Sequence, residues 1–479
     1  MGKKRILSLI LAVAMLLFSM PLQILAIGTQ QENQSQIVEI SKKAYALAPG
    51  VTEYELVTNN RSLSKQQVGH IMEVKPGSSA EIRVGYNDYN IAAIAYGSNW
   101  KMVAPTEQAQ NAETRGGIDV VGIVNGDFFN MANGCPSGYT VMQGTVVRDV
   151  NSSSYWIDSN GVSHIAENRA EVNAVCQAQG VTVWEALGGG AILIKDGQRT
   201  AAGDSYGDIA NPRTVIGIKA DGTVIIYMVD GRQAPYSVGM TYGDLADIML
   251  NLDCVQAINI DGGGSSAFAT QREGESNDNG KAGLTMRARP SDGYERKVST
   301  SLMVVSTAAS DGVFDHATIT PNQEIYTPGS TVAFTAIGVD KAGKPAALPT
   351  EGLSWSVVSG EELGSVDANG IFTGNENMSG VVEVALLHNG QQVGTTKIEL
   401  RWPDKLEFTN TSVSLDFGEE SDLTFHPTYQ GQTVNYKDGD FVWSLEEEGL
   451  TYKYSAALEG GSEGLLRQRN RDYPHHHYQ

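Results

Sequence analysis

Asp261 closes an apolar run, Ala257 to Ile260, and is followed by Gly262, Gly263, Gly264, Ser265 and Ser266. A carboxylate at a strand end serves as a base, a nucleophile or a metal ligand. Glycines allow positive φ and close backbone approach to a ligand. Successive free N–H groups in such a turn make an anion-binding concavity. These residue types suit a sugar, a phosphate or both. A flexible loop with an ordinary aspartate is the competing reading of this stretch taken alone.

Further groups with chemical potential lie upstream and downstream. Val124 to Asn130 places Asn125, Gly126 and Asp127 before two phenylalanines. Amide and carboxylate hold sugar hydroxyls and aromatic rings stack on a pyranose. The alternative is a type I′ turn at Asn125-Gly126. Gly188, Gly189 and Gly190 precede an apolar strand, as a ligand approach or as a strand entry where sheets cross. Asn211-Pro212-Arg213-Thr214 supplies an arginine, whose planar fork suits phosphate oxygens, or a surface ion pair. Asp230-Gly231-Arg232 adds another charged pair. Arg289 to Val298 carries Asp292, Glu295, Arg296 and Lys297, as a site rim or as a solvated loop. Nucleophile-elbow, H-E-x-x-H and Walker patterns are missing, and His70 and His164 stand isolated, which disfavours a serine–histidine hydrolase.

The elements that must position these groups are short strands. Val120–Val124, Ala191–Ile194, Val215–Ile218, Val224–Val229, Ala257–Ile260 and Leu302–Val305 read as buried strands. Asp221-Gly222 predicts a hairpin between two of them. A helix is expected from Thr241 as N-cap to about Leu252, with Asp244 at its third position and Leu245, Ile248, Met249 and Leu252 on one face. It delivers the chain directly into the glycine segment. Residues 39–306 therefore read as one α+β domain with a mixed or antiparallel sheet.

After Ser306 the composition changes. Residues 314–401 hold β-branched runs and turns with almost no helix signal, as in an immunoglobulin-like sandwich of bacterial surface proteins. Trp355-Ser356 recurs as Trp443-Ser444, so 403–450 reads as a partial second module. Residues 451–479 read as an irregular tail. Its His475, His476 and His477 are expected to be solvated.

At 479 residues the chain calls for two or three domains, and 41% hydrophobic with 19% charged residues suits globular ones. Lys3, Lys4 and Arg5 precede an apolar run from Ile6 to Phe18, with Ala26 as a small cleavage-site residue. Residues 1–26 thus predict an export signal and a secreted or surface-associated protein. The net charge of −21 argues against nucleic acid as a partner. Cys135, Cys176 and Cys254 make neither a disulfide framework nor a zinc pattern. One disulfide plus a free thiol, or three buried thiols, are both compatible.

Seven segments occur in order: NGDFF at 125–129, GGGAILIKDG at 188–197, NPRTVIG at 211–217, VDGR at 229–232, the stretch 237–249, INIDGGGSS at 258–266 and PSDGYERKV at 290–298. Together they resemble the phosphodiester glycosidase family, that of the lysosomal uncovering enzyme and of bacterial exopolysaccharide-associated proteins. The resemblance spans roughly residues 80–306. It implies hydrolysis of a sugar 1-phosphodiester, such as a GlcNAc-1-phosphodiester of a surface polysaccharide or glycan, with a phosphomonoester left behind. On that reading Asp261 and Asp127 are nucleophile or base, and Arg213 takes the phosphate. Gly262, Gly263, Gly264 and Ser265 add donors, Asn125 holds a sugar hydroxyl, and Glu295 and Arg296 complete the rim. Asp127, Asp230 and Asp261 are also candidate ligands for Ca²⁺ or Mg²⁺. The rival functions are a noncatalytic wall- or exopolysaccharide-binding protein and a factor in polymer assembly.

Overall fold

A computed structural model describes residues 37–60, 65–95, 100–276, 283–408, 425–437, 439–448 and 451–458. The expected export signal and the histidine tail lie outside the described residues. Among the described residues no helix is long and apolar enough to cross a membrane.

The first region is built almost wholly of antiparallel strands. Its largest sheet has eight, in the order Ile37–Ala48, Val51–Asn60, Lys65–Val74, Val224–Val229, Arg213–Lys219, Cys254–Asn259, Ile192–Lys195 and Gln198–Arg199. Its centre is the hairpin expected at Asp221-Gly222. Gly222 takes φ +87° there. The Asp221 carboxylate accepts from the Thr223 N–H at 2.9 Å. Period-2 alternation then divides the side chains between two cores. Ile216, Ile226 and Ile258 face Val121, Val124, Phe268 and Leu302. Val215, Ile225, Tyr227 and Ala257 face the opposite way, onto Leu245, Ile248 and Met249.

Those last three belong to the helix Tyr242–Asn251. Thr241 caps it in a reciprocal box with Asp244. Burial of each apolar side chain on such a face stabilises by about 1.5–3 kcal/mol. Two five-stranded sheets complete the region. One runs Thr285–Met286, Phe268–Thr270, Asp119–Asn125, Thr300–Ser306, Ala80–Tyr86. The other runs Thr145–Arg148, Thr140–Met142, Val183–Gly188, Ser154–Asp158, Ser163–Ala166. All three cysteines are free thiols, and burial pushes Cys254 up to about 12.

Beyond Ser306 a separate apolar core forms around Ile319, Phe334, Phe372, Val384, Leu386 and Ile398. The strands assigned to a second module at 403–450 are not set apart in the sheet. Phe425–Tyr429 and Gln432–Asn435 join the seven-stranded sheet that holds Gly380–His388 and Gln391–Leu400. The join is a parallel pairing of Val434 with Ile325. An unpaired strand edge recruits the next available strand. The irregular tail expected from 451 is also corrected. Thr451–Leu458 pairs antiparallel with Phe441–Glu448, because Thr451-Tyr452-Lys453-Tyr454 is rich in strand-forming residues.

Candidate functional site

Asp127 and Asp261 lie at the ends of two strands that the fold brings together. The strand Asp119–Asn125 delivers Asp127, where the Gly126 N–H donates to the Thr300 carbonyl at 2.9 Å. The Asp127 N–H donates to Thr300 Oγ1 at 3.1 Å. A hairpin turn at Asn125-Gly126 is thereby replaced by a sheet contact. The carboxylate is 1% exposed, and its Oδ2 accepts the Gly138 N–H at 2.7 Å. Gly188 makes the fit possible, since a Cβ there would stand 2.5 Å from Oδ2.

Asp261 is coupled to Asp127. Burial, then the charge of Asp261, raises Asp127 to about 7 despite main-chain donors and Arg148. Burial also raises Asp261, opposed by Ser265, the Gly262 N–H and Arg296. A buried and a partly buried carboxylate, one with its proton affinity near neutrality, are suited to acid–base work.

The glycine turn has a different role from the expected donor nest. Gly263–Ser265 is a single 3-10 turn. The Gly262 N–H donates to Asp261 Oδ1 at 2.8 Å. Those of Gly263, Ser265 and Ser266 go to the carbonyls of Pro212, Gly262 and Gly263. Most of the donors are therefore spent internally. The missing side chains matter more. Gly263 has φ +64°, and a Cβ on it would stand 3.2 Å from the Arg232 guanidinium. A Cβ on Gly264 would overlap the Arg296 guanidinium. The turn is thus a floor on which two arginines rest.

Arg296 is held by Asp292, with Nε to Oδ2 at 2.8 Å, and its Nη1 lies 3.5 Å from Ser265 Oγ. Arg232 is exposed and its Nε donates to Asn211 Oδ1 at 3.0 Å. No carboxylate pairs with it among the described residues. Arg296, expected at the rim of the site, lies against Gly264. Arg232 was noticed for its charge without a role, and Arg148 had no sequence signal.

Four assignments are corrected. Arg213 does not face the carboxylates. Thr214, its neighbour in the strand, donates to Asn125 Oδ1 at 2.7 Å, so alternation sends Arg213 to the other face. There it lies 4.3 Å from the Tyr242 ring and bonds Asp208 at 2.9 Å. Asn125 is fully buried and its amide is committed. Its Nδ2 donates to the Asp261 carbonyl at 2.7 Å and its Oδ1 accepts from Thr214 and the Ala267 N–H. It positions Asp261 and touches no ligand. Glu295 accepts the Thr106 N–H at 2.8 Å and the Thr106 hydroxyl at 2.6 Å. It caps the helix Pro105–Gly116, whose own N-cap, Ala104, has no side-chain oxygen to offer.

Asp230, the third proposed cation ligand, accepts from the Arg289 N–H at 2.9 Å and Tyr236 Oη at 2.9 Å, and lies 3.4 Å from His70. No group of three His, Cys, Asp or Glu side chains able to hold a metal ion forms among the described residues. Asp127, Asp230 and Asp261 therefore do not converge as a cation site. His70 and His164 are both structural, packed on Phe268 and Trp156.

Residues 119–305 match the family model described as phosphodiester glycosidase. A prophage-derived uncharacterised protein, YomE, of Bacillus subtilis is 31% identical over 183 residues, covering 36% of this chain and 26% of that protein. The N-acetylglucosamine-1-phosphodiester α-N-acetylglucosaminidase of mouse is 27% identical over 159 residues, 30% of each chain. The human protein of that name is 26% identical over 181 residues, 34% of this chain and 35% of that one. The chain thus spans about a third or less of these curated relatives. Among solved structures, the catalytic domain of the zebrafish protein of that name aligns at a TM-score of 0.41 and 17% identity. That alignment covers 55% of this chain and 87% of the other.

Proposed function

We propose that this chain is an exported enzyme that hydrolyses sugar 1-phosphodiesters, a reading supported by the match of residues 119–305 to the phosphodiester glycosidase family model and by the similarity to a known hydrolase. The substrate class is a GlcNAc-1-phosphodiester-like linkage in a surface polysaccharide or glycan. The observation that carries the reading is one arrangement: a buried carboxylate, Asp127, and a partly buried one, Asp261, that raises it, beside a glycine floor bearing Arg232 and Arg296.

Water adds to the anomeric carbon, the bond from that carbon to the phosphate oxygen breaks, and the phosphomonoester leaves. Phosphate is a weakly basic leaving group and needs little proton donation, so its main requirement is cationic stabilisation. Arg296 and Arg232 meet it in place of Arg213, each with N–H donors for phosphate oxygens. Asp261, stabilised as an anion by Ser265, Gly262 and Arg296, acts on the anomeric carbon or its water. Asp127, with its raised proton affinity, exchanges the proton. Asn125 and Gly188 hold these groups in register. The separate core beyond Ser306 serves as a spacer module of immunoglobulin-like type.

The test is product analysis with purified full-length protein on UDP-GlcNAc and a panel of sugar 1-phosphodiesters. Free sugar and a phosphomonoester are expected from the unmodified chain. Asp261→Asn is expected to lower the rate by about 10²–10⁴-fold with an unchanged melting profile. Binding of these substrates without turnover by the unmodified chain sinks the enzyme reading and leaves a glycan-binding protein.

A further inference from the structure

A cavity of about 620 Å³ opens beside the strand Ala80–Tyr86, with Arg83, Tyr86, Tyr89, Asn90, Arg115 and Gln143 among its lining residues. None of these residues belongs to the carboxylate site. Its volume lies within the range of small-molecule pockets, about 300–1,000 Å³.

The cavity wall is built rather than incidental. The rings of Tyr86 and Tyr89 stack at 5.1 Å with an interplanar angle of 16°. Tyr89 has φ +56° and Gln143 has φ +49°, a conformation costly for side chains of this size. The two strained residues bond each other, Gln143 Nε2 donating to Tyr89 Oη at 3.0 Å. Gly116 leaves room for the ring, since a Cβ there would stand 2.5 Å from Tyr89 Cε1. Glu185, 2% exposed, braces the wall from behind by accepting the N–H groups of Val84 and Gln143. Tyr86 is 1% exposed, so the partly buried Tyr89 is the ring that the cavity presents. Trp184, 39% exposed, extends the aromatic surface, with the Arg83 guanidinium 5.6 Å from its ring.

Charge decides the ligand class. Arg83 is paired with Glu81 and with Glu185, and Arg115 with Asp88 at 3.2 Å. Both guanidiniums are neutralised but retain planar N–H donors beside the amides of Asn90 and Gln143. Flat aromatic faces next to planar, charge-balanced donors and acceptors match the alternating C–H and O–H surface of a pyranose. We infer that this cavity is a second saccharide-binding site, selective for neutral sugars. It does not depend on the hydrolase reading, because nothing in its wall is used by Asp127 or Asp261.

The test uses full-length protein and saturation-transfer NMR with N,N′-diacetylchitobiose, cellobiose and maltose, and with glucuronic acid as the charged comparison. At least one neutral disaccharide is expected to receive saturation. Tyr89→Ala should weaken it about tenfold or more, and Arg115→Ala, which removes an exposed donor of the lining, by about three- to tenfold. Asp261→Asn should leave it unchanged. Circular dichroism of Tyr89→Ala establishes folding, and if that variant is unfolded Arg115→Ala decides. The inference is overturned if no neutral sugar binds, if glucuronic acid alone binds, or if binding survives Arg115→Ala unweakened. It is also overturned if binding is lost in Asp261→Asn and kept in Tyr89→Ala, which assigns the sugar to the carboxylate site.

Discussion

The two regions on either side of Ser306 treat buried charge differently. The first buries Glu53, Asp127, Asp158, Glu185, Asp230, Asp244 and Asp247. The second, among its described residues, buries Asp340 and Asp440. A buried carboxylate is costly unless bonded, so each one asks for an account. Asp340 is satisfied by Ser310 and by the N–H groups of Gly312, Ala342 and Lys344, which hold it down to about 2. Glu53 has Arg272, Asp244 caps a helix and Asp247 has Arg199. Asp127 differs. Main-chain N–H groups are its hydrogen-bond donors, a neighbouring carboxylate works against its charge, and its proton affinity rises accordingly. What separates the regions is that the first leaves Asp127, and likewise Glu185, which burial raises to about 8, destabilised as anions.

The sharpest way to break this contrast is Asp127→Asn. A group whose folded pKa of about 7 exceeds its ordinary value of 3.8 holds more protons in the native state. Stability is therefore lost as pH rises between these values, by up to roughly 4 kcal/mol. The amide removes that loss. The variant is expected to melt higher than the parent at pH 8, to converge with it near pH 4, and to lose about 10²–10⁴-fold in turnover. Parallel melting curves at both pH values would show that Asp127 is an ordinary satisfied carboxylate like Asp340.

The next effect separates two arginines that the sequence presents alike. Arg296→Ala removes a charged donor from the glycine floor. It is expected to lower kcat/KM about 10- to 100-fold, the worth of a charge-assisted hydrogen bond. Arg213→Ala removes a contact to Tyr242 and Asp208 on the far face, so it should lower the melting temperature and leave kcat/KM within about twofold. Steady-state kinetics of the two variants decides between them, and the opposite pattern restores Arg213 to the site.

Strand periodicity made much of this legible in advance. The apolar runs, the Asp221-Gly222 hairpin and the Thr241 cap follow from local chemistry and recur in the fold. Asp127 and Asp261 stand out in the sequence because each follows the end of a patterned strand, whereas Arg296 lies in the loop before Thr300–Ser306. Arg213 was misplaced because its partner Asp208 and the ring of Tyr242 are fixed by which face of the strand a residue takes, and a one-residue shift reverses that face. Arg232 and Arg148 were undervalued because only tertiary packing brings them near Gly263 and Asp127. Glu295 misled for the opposite reason. Its carboxylate answers a helix terminus nearly 190 residues earlier in the chain, which no local pattern announces.

Glu295→Gln offers a smaller and more structural test. Thr106 N–H and Oγ1 lose an anionic acceptor at a helix N-terminus, where negative charge is favoured. A loss of about 0.5–2 kcal/mol is expected, as for a lost N-cap, with turnover unchanged. A large fall in turnover at constant stability would return Glu295 to the site rim.

The smallest effect lies where the two regions meet. His316, at the start of the strand His316–Thr320, pairs with Glu273 at 3.1 Å and with Asp315 at 3.1 Å. Its bond to Glu273, set against partial burial, raises its pKa above 6.5. A histidine raised in the folded state stabilises fully below its unfolded pKa and loses that contribution as pH rises through the folded one. The pair is partly solvated, so its worth is about 0–1 kcal/mol. Hydrogen exchange of residues 316–320 is therefore expected to be slower, after correction for intrinsic rates, at pH 6 than at pH 8. His316→Gln should remove the difference while Asp127→Asn preserves it. Because the two titrations run in the same direction with pH but belong to different regions, only a local readout separates them. If Asp127→Asn abolishes the difference at 316–320, the regions share one electrostatic unit and the contrast between them fails.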